Sequence, residues 1–226
     1  MDDYDLTKEE DVQAYLKNIE TEYTYQCVHE KEPDGCHRLA DFFNSLKKDE
    51  QKGSKLFKEN CDEHKYGHSC FKYAGQRLIG KGVEANPEEG AEYFEKSCEY
   101  GYVKGCSNAG ILYVDKKFSK TDYDKGLKYL QMACDKDIGH TCATIGTGHL
   151  LGLYGLSKDS TKAVEMLSKG CDLGSVTGCA NLSRMYKIGD GVQRNDALSN
   201  KYSALARAAM KKQEGDGSSI SLGHTS

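Results

Sequence analysis

Ten cysteines fall along the chain as five close pairs, Cys27/Cys36, Cys61/Cys70, Cys98/Cys106, Cys134/Cys142 and Cys171/Cys179. Thiols so arranged can form disulfides, ligate metal or exchange with other disulfides. The first member recurs at intervals of 34, 37, 36 and 37 residues, and the pairs enclose eight residues twice and seven residues three times. No cysteine is left over. A dithiol enzyme normally carries Cys-x-x-Cys, which lowers the pKa of one thiol, and this chain has none. Thiol exchange would then require one labile bond. Cys27–Cys36 and Cys61–Cys70 are the candidates, because they enclose one residue more than the others.

Seven histidines are the other ligand-bearing side chains. His64 and His68 stand four apart between Cys61 and Cys70, but Gly67 points to a loop rather than a shared helix face. His68 and His140 occupy equivalent positions, two before the second cysteine of their pairs. No tetrahedral ligand set is evident, so no metal site is expected. A haem needs only one or two histidines in an apolar groove. His149, with Tyr113 and Tyr186 at the same repeat position, is the candidate cofactor ligand. The plainer reading makes the corner histidines solvated and His149 a packed core residue. Ser45-Leu-Lys-Lys48 matches Ser-x-x-Lys, but the Ser-Asp-Asn and Lys-Thr-Gly companions of that motif are absent. No Gly-rich phosphate loop occurs. The expectation is a chain without catalytic residues.

The elements that must position the cysteines follow from the period. A repeat of about 36 residues marks an array of helical hairpins. Four positions after the second cysteine stand Ala40, Ala74, Gly110, Gly146 and Ser183, all small. Eight positions before the first stand Gly53, Gly90, Gly126 and Ala163, and four before it Phe57, Phe94, Leu130 and Leu167. Spacings of four and eight keep these groups on one helix face, small residues letting two backbones approach and large ones filling the flanks. Each unit therefore reads as helix A, loop, helix B. The last has helix A over 176–188, a turn at Gly189-Asp190-Gly191, and helix B over 194–212 capped near Asn195 or Asp196. Pro87 suits the first turn of its helix B.

The first cysteine then ends helix B and the second opens the next helix A, so their sulfurs meet across a tight corner. Five local disulfides are predicted, 27–36, 61–70, 98–106, 134–142 and 171–179. The fold class is all-α, a right-handed α/α solenoid of about five hairpins. Residues 1–35 form a capping helix and first corner, 36–213 the hairpins, and 214–226 a polar, disordered tail. Tyr73, Tyr113 and Tyr186 lie on or beneath a concave binding face, as anchors or as core.

Formal charge is 31 minus 35, or −4, with no basic stripe, which argues against nucleic acid. No segment has the roughly 20 apolar residues of a membrane span, and mean hydropathy is −0.70. The start MDDYDLTKEEDVQAYL resembles neither a secretory signal nor a transit peptide. Paired cysteines argue for an oxidising compartment. Three settings remain open: a reduced cytosolic protein with packed thiols, a processed secreted chain, and the mitochondrial intermembrane space.

The unit resembles the Sel1-like repeat in CATIGTGHLLGLYGLSKDSTKAVEMLSKGC and CANLSRMYKIGDGVQRNDA. HEKEPDGC (29–36) and CDLGSVTGCANLSRMYKIGDGV (171–192) resemble a mitochondrial, disulfide-rich branch of that family, over roughly 10–212. The resemblance implies a monomer of the intermembrane space that helps build cytochrome c oxidase, respiratory complex IV, as a protein-interaction scaffold. Its partners would be complex IV assembly proteins or copper chaperones. The alternative it carries is a haem-binding thiol–disulfide reductase acting on those chaperones. The cysteine spacings of seven and eight depart from the usual import motifs of that compartment, so oxidative import rests on the resemblance alone.

Overall fold

Four helices B begin at an Asx cap set twelve residues before their cysteine. Asp49, Asn86, Asp122 and Asp159 accept from the backbone N–H three residues on, at 3.0 Å in each case. Asn195 does the same for Leu198 at 3.0 Å. Short polar side chains favour this position because they satisfy an orphan donor of the first turn. The same five residues give their own N–H to the carbonyls of Phe43, Arg77, Tyr113, His149 and Tyr186 in the preceding helix. One residue thus starts helix B and closes its hairpin.

A computed structural model describes residues 4–215. Eleven helices follow in order among them: α1 Glu9–Val28, α2 Pro33–Ser45, α3 Glu50–His64, α4 Gly67–Ile79, α5 Pro87–Glu99, α6 Val103–Val114, α7 Tyr123–Asp135, α8 Gly139–Leu151, α9 Ser160–Asp172, α10 Val176–Ile188 and α11 Asp196–Gly215. The expected helix over 176–188 is α10, and Gly189 ends it with a positive φ of 76°. Pro87 opens α5 as expected. Glu214 and Gly215, assigned to the tail, belong to α11; the remainder of that tail, 216–226, lies outside the described residues.

The described residues divide into two compact units between Ala109 and Gly110. In the first, a Cβ on Gly53 would stand 2.9 Å from the Ala40 carbonyl, and one on Gly90 3.1 Å from that of Ala74. In the second, a Cβ on Gly110 would stand 2.8 Å from Leu130 N, and one on Gly146 2.9 Å from Leu167 N. The aligned small residues are therefore where paired helices touch. Phe57, Phe94, Leu130 and Leu167 are all buried beside them.

α11 keeps the small position as Ser199, which is buried, with Ser183 donating to its carbonyl at 2.9 Å. Counting twelve from Asn195, its large apolar position becomes Ser203 and its cysteine position Arg207. Arg207 donates to Ser203 Oγ at 3.1 Å. Repeat arrays require such a polar outer end. At the other end, α1 packs Leu16, Ile19, Tyr23 and Cys27 against Leu39, Phe42 and Phe43 of α2.

Candidate functional site

The corners bring together every cysteine pair that the spacing predicts. Cys27–Cys36, Cys61–Cys70, Cys98–Cys106, Cys134–Cys142 and Cys171–Cys179 are all bonded, with Cα–Cα distances from 4.4 to 4.9 Å, and no cysteine is free. Cys36, Cys70, Cys106, Cys142 and Cys179 each stand fourth in their helices, α2, α4, α6, α8 and α10, which is the opening-turn position expected of them.

Burial sorts these ten residues. Neither residue of Cys61–Cys70 has exposed surface, so an external thiolate cannot reach that bond. Its candidacy for exchange, which rested on loop length, is therefore corrected. Cys134 and Cys142 have no exposed surface either, and Cys98, Cys106, Cys171 and Cys179 are buried. As site residues, Cys106, Cys142 and Cys179 with their partners pin corners and present no reactive sulfur. Of the ten cysteines, Cys27 alone is not buried. Access, which governs exchange, thus separates the two bonds that loop length left equal.

In the first unit, the residue before the first cysteine of two corners ties each to the corner before it. Asn60 Nδ2 donates to the Pro33 carbonyl at 2.8 Å, and Ser97 Oγ to the Gly67 carbonyl at 2.7 Å. In the second unit the equivalents are Ala133 and Gly170, whose side chains offer no such donor. Gly170 packs instead, its ideal Cβ 2.9 Å from the Gly139 carbonyl.

At the 61–70 corner this tie continues into a polar network that sequence reasoning missed. Asn60 Nδ2 also donates to Ser69 Oγ at 2.7 Å, and Ser69 Oγ lies 2.9 Å from His37 Nδ1. A hydroxyl has one proton and two lone pairs, so Ser69 Oγ accepts from Asn60 and still shares a hydrogen bond with His37 Nδ1 in either direction. His37 Nε2 faces Asp41 Oδ2 at 3.4 Å. His37 stacks on His68 at 4.2 Å between ring centroids, and His68 stacks on Tyr102 at 4.6 Å. Burial above all, aided by the neighbouring His68, pushes the His37 pKa down to about 4. Burial also lowers that of His68.

The order Asp41–His37–Ser69 imitates a nucleophilic triad, but Ser69 has no exposed surface. A hydroxyl closed off from substrate cannot attack one. The network holds a corner together. Its signal in the sequence is thin: His37 follows Cys36 directly, where Phe71, Ser107, Ala143 and Ala180 stand in the other repeats.

The remaining candidates are dispersed. His64 is the last residue of α3 and Lys65 turns left-handed, so His64 and His68 do not share a helix face. His68 is stacked rather than solvated, whereas His140 is exposed. His149 is half-buried on α8 with its Nδ1 buried and unbonded. Tyr113 has ring contacts with Phe118 and Tyr129, and Tyr186 with Tyr202. Tyr73 and Tyr113 are buried. Ser45 ends α2 and Lys48 lies in a left-handed turn, so they share no helical turn. Among the described residues no three His, Cys, Asp or Glu converge as a metal cluster, and no helix is long and apolar enough to cross a membrane.

Three clefts, of about 790, 410 and 440 Å³, all involve α1. The first is lined by Lys8, Glu9, Glu10 and Gln13. The second lies between α1, α2 and α4, over Ile19, Tyr23, Phe42 and Leu46. The third runs along Lys17, Thr21, Thr24 and Tyr25. His149 lines none of these three.

The corners, the paired small residues and the period agree with what comparison finds. The Sel1 repeat model matches residues 67–102, 106–138, 145–175 and 176–209. The chain belongs to the Sel1 repeat family. Cytochrome c oxidase assembly factor 7 of Xenopus tropicalis is 38% identical over 227 residues, 97% of each chain. The Drosophila melanogaster homolog is 33% identical over 90% of each, and the human protein 34% identical over 93% of this chain and 94% of its own. Among solved structures, a Sel1 repeat protein from Oxalobacter formigenes covers 81% of this chain and 78% of its own at TM-score 0.69 and 24% identity. The Escherichia coli antigen c5321 covers 93% of this chain and 46% of its own, at 0.74 and 21%. These two structures share the Sel1 fold.

Proposed function

We propose that this Sel1 repeat protein is an assembly factor for cytochrome c oxidase, respiratory complex IV, and that it acts in the mitochondrial intermembrane space as a disulfide-pinned interaction scaffold. The observation that carries the reading is identity of 33% or more with proteins named for that role, over nearly the whole chain. The buried disulfides support a scaffold over an enzyme, since they leave no thiolate for turnover. Complex IV assembly proteins or copper chaperones are the partners this implies. The test is gel-shift alkylation of the endogenous protein in fractionated cells, with complex IV assembly followed after its deletion. Ten blocked thiols in the intermembrane space and stalled complex IV are expected. Ten free thiols in the cytosol with complex IV unaffected would overturn the reading.

One observation favours a second reading, a thiol–disulfide reductase acting on copper chaperones. Cys27 is half-buried, so Cys27–Cys36 is open to exchange. An external thiol donor would first have to reduce it. A reduction potential below about −300 mV for that bond removes this reading, because such bonds resist reduction by the glutathione pool. Haem ligation by His149 belongs with it, and an unchanged Soret band on titrating haem into His149→Ala would exclude that ligand.

A further inference from the structure

We propose that Cys27–Cys36 is a redox latch for α1: reduction of this one bond by an external dithiol frees the N-terminal helix and uncovers the apolar side of α2, while the following hairpins stay folded. The latch stands where packing is thinnest. None of the twenty residues of α1 is buried, whereas α2 buries seven of its thirteen. Leu16, Ile19, Tyr23 and Cys27 hold α1 against Leu39, Phe42 and Phe43, and each of those four keeps part of its surface in water. The Glu20–Lys47 pair at 3.2 Å is open to solvent and adds little. α2 does not depend on α1 in return. Asp49 gives its N–H to the Phe43 carbonyl at 2.9 Å, Gly53 closes on Ala40, and Asn60 donates to the Pro33 carbonyl at 2.8 Å. Opening the first corner therefore leaves α2 with three holds from α3 and its cap.

The bond is also placed to open. Cys27 is the one cysteine not buried, and the corner beside it, His29, Glu30, Lys31 and Glu32, is exposed throughout. A thiolate of the dithiol attacks Cys27 Sγ, the S–S bond breaks, and its electron pair leaves on Cys36 Sγ. Cys36 stands in the opening turn of α2, whose N-terminal dipole stabilises the departing thiolate. The second thiol of the donor then attacks the mixed disulfide and releases Cys27. Two electrons and two protons pass to the cysteines, and the dithiol ends as its own disulfide. Cys61–Cys70 and Cys134–Cys142 have no exposed surface and stay closed to the same reagent. Once free, α1 is suited to water. It carries Glu9, Glu10, Asp11, Glu20 and Glu22 against Lys17, and the acids of its first turn favour the helix. Leu39, Phe42 and Phe43, buried in the closed form, become surface.

The latch goes beyond both functional readings, and its test is separate from theirs. The oxidised full chain is titrated with dithiothreitol, the opened bonds are mapped by alkylation and mass spectrometry, and hydrogen exchange is followed at each step. Cys27–Cys36 should open first. Protection of the α1 amides should then fall roughly seventyfold, the factor that closing so short a loop represents, while α3, α4 and α5 keep theirs. Cys27→Ser/Cys36→Ser should reproduce the loss without reductant. Cys171→Ser/Cys179→Ser, which removes a buried bond from the last corner, should leave α1 protected. Unchanged α1 protection with Cys27–Cys36 shown to be open would overturn the latch, as would opening of Cys61–Cys70 ahead of it. Loss of protection across α3 to α5 at the same step would overturn it too, since that is unfolding rather than release. Stalled complex IV assembly on deletion, with α1 still protected after reduction, leaves the function standing and removes the latch.

Discussion

His37 holds its ring neutral inside a corner, and that has a measurable cost in acid. Its pKa falls from 6.5 to about 4 on folding. Above 6.5 neither state is protonated and the contribution of this corner to stability is complete. Between 6.5 and 4 the unfolded chain takes up a proton that the folded chain refuses, so stability falls as pH falls. The slope is about 1.4 kcal/mol per pH unit, roughly 3 kcal/mol in all. Urea unfolding across this range should show it, and His37→Gln should flatten the profile by about one proton. An unaltered slope in the variant would mean that other groups carry the dependence. Little of this was legible in the sequence. Ser69 lies 32 positions from His37 and Asn60 nine positions from Ser69. Only stacking one corner on the next brings them within hydrogen-bond reach.

At the scale of the element, two glycines on different helices separate packing from propensity. Gly53 of α3 sits where a Cβ would press to 2.9 Å on the Ala40 carbonyl, while one on Gly75 of α4 would meet nothing within 4 Å. Helix propensity favours alanine at both by about 1 kcal/mol. Gly75→Ala should therefore stabilise the fold by about that amount, whereas Gly53→Ala should destabilise it by about 1–3 kcal/mol through overpacking. Thermal unfolding of the two variants distinguishes them, and a stabilised Gly53→Ala would refute the close approach. The caps give a parallel case. Asp122→Ala should cost about 1 kcal/mol and Asp122→Asn almost nothing, since only the acceptor oxygen matters. The small and large core positions were readable because they repeat with the cysteines. In the sequence the cap stands out only at Asn195, beside its glycine turn. Asp49, Asn86, Asp122 and Asp159 emerge only when each hairpin is counted back twelve residues from its cysteine.

For the whole molecule, the five disulfides are the largest separable contribution. A loop of eight or nine residues is worth about 2.5 kcal/mol in the chain-entropy model, and five together match the entire net stability of an ordinary domain, about 5–15 kcal/mol. Full reduction should lower the unfolding temperature sharply. Loss of Cys27–Cys36 alone should be the mildest of the single-bond deletions, because Cys27 is the one cysteine not buried, whereas Cys61–Cys70 and Cys134–Cys142 lie wholly inside. Circular dichroism melts of the reduced protein and the five Cys→Ser double variants check this order. The fold was legible at this scale because its period is written in residues that cannot be exchanged for one another. The N-terminal helix was legible as a cap, but not as an underpacked acidic surface, since its lack of burial depends on what α2 leaves uncovered. The exchange of a core residue and a cysteine for the bonded pair Ser203 and Arg207 has a genetic consequence. Termination resides in one helix, so a duplication of residues 122–158 would insert a unit that finds matching neighbours on both sides. A duplication that copied α11 into the interior would write a stop in mid-sentence, and lineages of this array should lengthen by the first route.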